Sequence, residues 1–236
     1  MTLRRLILIV AWLVASQTPA HAQSVPAALT ADRIIYTTGY QTLRATGHVE
    51  IIYQGTILQA AELHYDAQTN RITAQGPLRL THGEDVVIVA DYAELSADFQ
   101  DGVLTGARMV LNQQMQLSAV EINRSQGRYS QLYKAAASSC TVSLAHPTPL
   151  WQIRAKRIIH DEEKRRLFFE NAQLRIGKVP VAYIPRMRVP DPSVKRASGF
   201  LVPGIANSSA YGTNVTAPYF LTFGDYADVT FAPKIY

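Results

Sequence analysis

Apolar and polar positions recur in the same order about every 29 to 30 residues between Ala31 and Ile122. Ala31, Ala60, Ala90 and Ala119 each open a run, and Gly47, Gly76 and Gly106 follow the first three at a constant offset. Within a run, apolar residues alternate with polar ones. Ile34 shares one strand face with Tyr36, Leu63 with Tyr65, and Ala93 with Leu95. After the glycine a second run alternates likewise, Val49 with Ile51 and Leu78 with Leu80. Period two predicts half-buried strands. Turn formers separate the runs at Thr38-Gly39, Gln54-Gly55, 66–70, 82–85 and Asp101-Gly102. The pattern predicts about eight short antiparallel strands over residues 25–135. A period of this length marks stacked units, each burying its face on its neighbours.

The inward positions mix large and small residues, which predicts an apolar slot between sheets. Ile34, Tyr36, Val49, Ile51, Leu63, Tyr65, Leu78, Leu80 and Leu95 are the slot residues that alternation selects. Acyl chains suit such a slot, since each buried methylene gains about 0.8 kcal/mol and asks for no hydrogen bond. A closed sandwich whose apolar faces simply make a core is the competing reading.

Residues 1–22 have the form of a secretory signal: Arg4 and Arg5, an apolar stretch from Leu6 to Ala15, then Ala20-His21-Ala22. The apolar stretch is too short to span a bilayer. Removing it takes the net charge from +5 to +3. Export leaves Cys140, the single cysteine, without a partner in this chain. It is either a small buried residue or paired with a cysteine on another polypeptide or on sequence beyond this chain.

The repeat fades after Ile122. The chain divides into a signal (1–22), repeats (23–135), a middle segment (136–198) and a tail (199–236). Residues 151–200 hold twelve Lys and Arg against five Asp and Glu. Such clustering suits phosphorylated lipid head groups or a membrane surface, and nucleic acid less well in an exported chain. A solvated face is the alternative, with 161–163 paired to 164–166. His160-Asp161-Glu162-Glu163 has no zinc-ligand spacing. Phosphate loops and nucleophile elbows are missing, so nothing points to an enzyme, a cofactor or a metal.

The tail predicts three strands, at 200–205, 213–221 and 226–236. Ala227, Val229, Phe231, Pro233 and Ile235 alternate with Asp228, Thr230, Ala232, Lys234 and Tyr236, as in membrane β-strands. Pro203, Pro218 and Pro233 put one proline in each strand, and proline removes a ladder hydrogen bond. A membrane barrel needs about eight strands or more, so three of them predict an incomplete copy of a larger protein.

Several stretches carry a family resemblance. They are Ala31-Asp32 with Tyr36 and Ala45-Thr46-Gly47-His48-Val49, then 151–155 and Ile158-Ile159-His160-Asp161, then 179–185 and 195–203. Together they resemble the N-terminal part of the LptD family of outer-membrane lipopolysaccharide-assembly proteins. The resemblance implies an all-β chain: a periplasmic β-jellyroll that accepts lipopolysaccharide, followed by the first strands of an outer-membrane barrel that opens sideways. It implies as partners lipopolysaccharide, a periplasmic bridge protein of similar β-fold and, for a complete barrel, the plug lipoprotein LptE. It makes Pro203 and Pro218 lateral-gate prolines, and matches Cys140 to a cysteine that pairs near the barrel's far end. Ser143 stands where some relatives carry a second cysteine, and most of the barrel is missing. A soluble periplasmic bridge without a barrel is the alternative.

Overall fold

In the computed structural model the described residues are 27–37, 39, 41–140, 149–194, 196–201, 204–210, 212–224 and 226–236. The signal segment, Ser143 and Pro203 lie outside them.

Long strands dominate. They are β1 (Ala28–Thr30), β2 (Arg33–Tyr36), β3 (Thr42–Tyr53), β4 (Thr56–Asp66), β5 (Arg71–His82), β6 (Val86–Ser96), β7 (Gly102–Leu111), β8 (Met115–Ser125), β9 (Tyr129–Ser138), β10 (Trp151–Asp161), β11 (Arg166–Ile176) and β12 (Val179–Pro190). All join one 12-stranded antiparallel meander. β1 and β2 share the outer side of β3 and act as one interrupted edge strand. The sheet passes residue 135 without a break, because β9 pairs with β10.

The strands are longer than alternation predicts, for a physical reason. Ala60 and Ala90 do not open strands; they lie at the middle of β4 and β6. At that level the ladder slips, between Thr46 and Val49, between Gln59 and Glu62, and between Gln75 and Leu78. These are β-bulges, and an extra residue shifts the alternation by one. In β6 the buried positions run Val86, Ile88, Ala90 and then Ala93, Leu95. The inward face changes from even to odd numbers while the backbone remains one strand. Read as period two, each such strand looks like two.

The bulges line up across the sheet. In every second strand left-handed backbone recurs at mid-strand: at Gly47 with His48, at Gly76, at Gly106, at Lys134 and at Asn171. An aligned row of bends turns the sheet over on itself. An open single layer would leave both faces wet, yet Leu63, Leu95, Leu104 and Ile158 are all at most 1% exposed. One continuous core runs from Ala45 on β3 to Ala172 on β11. The roll does not close into a barrel, since β1 and β2 at one edge share no ladder with β12 at the other.

Six short strands follow: β13 (Gly199–Phe200), β14 (Gly204–Ser208), β15 (Gly212–Thr216), β16 (Tyr219–Phe223), β17 (Ala227–Phe231) and β18 (Lys234–Ile235). They form two small sheets, β13-β16-β17 and β14-β15-β18. Chain order shows what these are. β13 with β14, β15 with β16, and β17 with β18 make three long strands of one meander, each interrupted at the same level.

Candidate functional site: an apolar interior and a proline-broken hairpin

Six of the nine slot residues lie in the core: Val49, Ile51, Leu63, Leu78, Leu80 and Leu95. Ile34 and Tyr65 are half-buried against it. Tyr36 is the exception, with 53% of its surface exposed. It ends a four-residue edge strand, and its ladder partner Leu43 covers only one side. The interior also includes Leu58, Ile88, Leu104, Met109, Leu111, Leu117, Ile122, Leu132 and Phe169. Alternation already placed Met109 inward; the others went unassigned, and Leu111 and Ile122 sit beyond a mid-strand bend, where the inward parity has changed. The aligned glycines were the signal that could have found them.

The interior side chains are buried against one another, and the sheet keeps two free edges. Val179, Val181 and Tyr183 stand exposed on β12, and Ile35 and Tyr36 on β2. Phe99, in left-handed backbone, folds inward from the loop before β7 and meets the Tyr53 ring edge-on at 6.5 Å.

A buried charged cluster ties β8, β9 and β10 at one rim. Arg128 donates two hydrogen bonds to Asp161, of 2.9 and 3.0 Å, and pairs with Glu163. Arg124 donates to Glu162 at 3.2 Å, to Ser130 Oγ and to the Phe99 carbonyl. The acidic run 161–163 therefore pairs with arginines of the preceding hairpin, not with its neighbours 164–166. Among the described residues no group of three His, Cys, Asp or Glu side chains could hold a metal.

His160 reaches another partner, Asp191, at 2.6 Å, with both side chains buried. Asp191 also accepts the Ser193 amide at 2.8 Å. The contact fastens the segment after β12 to the sheet. Burial opposes ionisation of Asp191, but bonds from His160 and Ser193 outweigh it and hold the carboxyl below its usual range. Asp161 is likewise held low, chiefly by Arg128. A carboxyl depressed in the fold contributes stability above its unfolded value, and loses it as pH falls through the folded one. Stability is expected to be level down to about pH 5 and to decline below about pH 4. Urea titrations across that range check this; Asp191→Asn should flatten part of the decline, and an unchanged slope would reject the assignment.

The hairpin region carries most of its apolar residues on one face, with Phe220 opposite Thr230 on the other. Phe200 opposes Tyr219, Tyr219 opposes Phe231, Leu221 opposes Val229, and Val215 opposes Ile235. Opposed residues point the same way. The other face holds Thr222 opposite Asp228 and Thr216 opposite Lys234. The apolar face is uncovered: Phe231 is 66% exposed and Ile235 71%. The interruption falls at Pro218, between β15 and β16, and at Pro233, between β17 and β18. There the Pro218 carbonyl accepts the Leu201 amide at 2.8 Å, and that of Pro233 the Ala217 amide at 3.2 Å. The missing proline donors split the ladder into two sheets. β17 pairs with β16 and β18 with β15 in one continuous register.

Cys140 is half-buried and free within this chain, not a core residue. Its amide donates to Ser138 Oγ at 3.1 Å.

No protein-family model matches the chain. Among curated proteins, LPS-assembly protein LptD of Xanthomonas euvesicatoria pv. vesicatoria is 28% identical over 212 residues, 90% of this chain and 25% of the relative. LptD of Hahella chejuensis is 30% identical over 193 residues, 81% of this chain and 24% of the relative. The chain thus spans about a quarter of the length of the relatives it matches. The crystal structure of LptH, the LptA-homologous periplasmic component of the lipopolysaccharide transport device of Pseudomonas aeruginosa, aligns with 71% of this chain and 96% of its own. That likeness, at 12% identity and a TM-score of 0.26, is too slight to bear on function. Over most of its length the chain resembles the N-terminal part of the LptD proteins of LPS assembly.

Proposed function

We propose that this chain carries lipopolysaccharide, holding the acyl tails in the apolar interior of its rolled sheet and passing them toward the outer membrane along the proline-broken hairpin. One observation carries the reading: an unclosed roll around one continuous apolar core is followed by a hairpin with one largely uncovered apolar face. In water such a face is costly, and in a bilayer it is at home. The names of the relatives, LPS-assembly proteins, fit the same cargo.

On this reading residues 23–135 form the repeats of a periplasmic β-jellyroll, 136–198 its end and the basic link to the barrel, and 199–236 the first strands of an outer-membrane barrel. Its partners are a periplasmic bridge protein of similar β-fold and, in a complete barrel, the plug lipoprotein LptE. Pro203 and Pro218 weaken the seam at which such a barrel opens. Transport of this kind needs no catalytic group. The soluble-bridge alternative is disfavoured by the exposed aromatic and aliphatic face of 199–236.

A photo-crosslinker at Leu80 or Tyr65, in the chain made in lipopolysaccharide-producing cells, is expected to capture the lipid. The same probe at Arg71, on the exposed side of β5, is expected to capture little. Equal capture at both kinds of position, or none at Leu80, would overturn the reading.

A further inference from the structure

Between β9 and β10 the ladder lapses at one level. Ala135 faces Ala155, and Tyr133 faces Arg157; Lys134 and Lys156 lie between these pairs, opposite each other and outside the register. With Ala135, Ala136, Arg154 and Ala155 they line a surface cavity of about 430 Å³. The lining therefore consists of three exposed cations and three small alanines, with no carboxylate.

Of the acids nearby, Glu170 feels the charge of Lys156 but spends its hydrogen bonds, of 2.9 and 2.8 Å, on Arg157. Glu121 faces Tyr133, one residue from Lys134, and forms no ion pair with it among the described residues. Arg154 is steadied by the Gln152 side chain at 3.4 Å.

Backbone strain supplies a second observation. Lys134 has a φ of +48°, in the left-handed region where the corresponding bends of β5 and β7 place Gly76 and Gly106. A glycine would relax this bend. Lysine is exposed there, so packing does not account for it. Strain retained at an exposed position, together with three clustered cations and no carboxylate in the lining, points to a ligand.

We propose that Lys134, Arg154 and Lys156 form a binding site for a phosphate-type anion on the outer face of the rolled sheet. Two lysines give mobile point charges and the arginine a planar fork, the set that suits tetrahedral oxyanions. The small alanines between the cations leave room for the anion on the surface. The ligand is either the phosphate of a lipid head group or free phosphate. The site stands apart from the apolar interior, so it does not depend on what the interior carries.

The test uses the full chain in non-ionic detergent. Inorganic phosphate is titrated by calorimetry. In parallel, flotation compares phosphatidylcholine vesicles with and without phosphatidic acid. Lys134→Gln and Lys156→Gln should each weaken binding about tenfold, the worth of one charge-assisted hydrogen bond. Arg79→Gln and Lys178→Gln remove the same charge elsewhere and should change little. Lys134→Gly separates the site from a structural role: it should raise the melting temperature and still lose about tenfold in binding. Binding that depends on phosphatidic acid assigns a lipid source; heat with phosphate and no such dependence assigns the free anion. Absence of both, or equal losses in the control variants, overturns the proposal.

Discussion

Glu162→Ala is expected to lower the unfolding free energy by about 3–5 kcal/mol, the cost of leaving a buried charge unpaired. The charge is Arg124, whose side chain is 5% exposed and whose ionic partner is Glu162, itself 14% exposed. Without that carboxylate the guanidinium keeps only the Phe99 carbonyl and the Ser130 hydroxyl, at 3.4 and 3.3 Å. Neither carries a compensating charge. Replacing both members, Arg124→Met with Glu162→Leu, should restore most of the loss, because two apolar groups leave nothing orphaned. Glu163→Ala should have little effect, since Glu163 is mostly exposed and Arg128 keeps Asp161. Chemical denaturation of the four proteins checks the series. A loss under about 1 kcal/mol for Glu162→Ala would mean that water reaches Arg124 and that the cluster is a surface feature.

Gly102→Ala is expected to cost about 2–5 kcal/mol, combining overpacking with backbone strain. Gly102 has a φ of +149° and starts β7 between Leu95 and Arg124. A Cβ there overlaps the Glu94 carbonyl oxygen and lies 2.7 Å from the Leu95 Cα. Both obstacles are backbone, which cannot rotate away as a side chain can. Gly55→Ala makes the contrast. Gly55 follows Gln54 in the two-residue turn between β3 and β4, both with positive φ, and a Cβ there meets nothing within 4 Å. Its cost is the left-handed penalty alone, about 1–2 kcal/mol. Equal shifts in denaturation midpoint for the two variants would show that the Gly102 site relaxes.

Much of this was readable from residue order, and the misses have identifiable causes. Gln54-Gly55 reads as a tight hairpin turn because a turn that matches strand twist needs positive φ at both central positions. The slot residues Leu63, Leu78, Leu80 and Leu95 read as inward because alternation holds within half a strand. It failed at the middle of each long strand. There Ala60 and Ala90 looked like beginnings, and Leu104, Leu117 and Ile122 went unassigned, since a bulge changes which parity faces inward. Tyr36 was misplaced because alternation says which face a residue is on, but not whether anything covers that face. The partners of 161–163 were misassigned for a related reason. Neighbours in sequence looked sufficient, while the ladder brought Arg124 and Arg128 closer.

The tail shows the same division. One proline in each predicted strand was visible, and so was the weakness it implies. The pairing of the six short strands into one meander, interrupted at a common level, was not, since register between strands is a tertiary property.

Local chemistry by itself determined the all-β character, the repeat, the turns and one apolar face per strand segment. These follow from backbone preference and period-two patterning, which act over a few residues. Tertiary structure decided that the bends align, that the sheet therefore rolls over one core without closing, that Arg124 and His160 are buried beside acids 38 and 31 positions away, and that Lys134 meets Lys156 across a lapsed pair. Such facts depend on which strands lie side by side and in what register. That is settled by burial and hydrogen bonding summed over the whole sheet, a quantity no short stretch of chain contains.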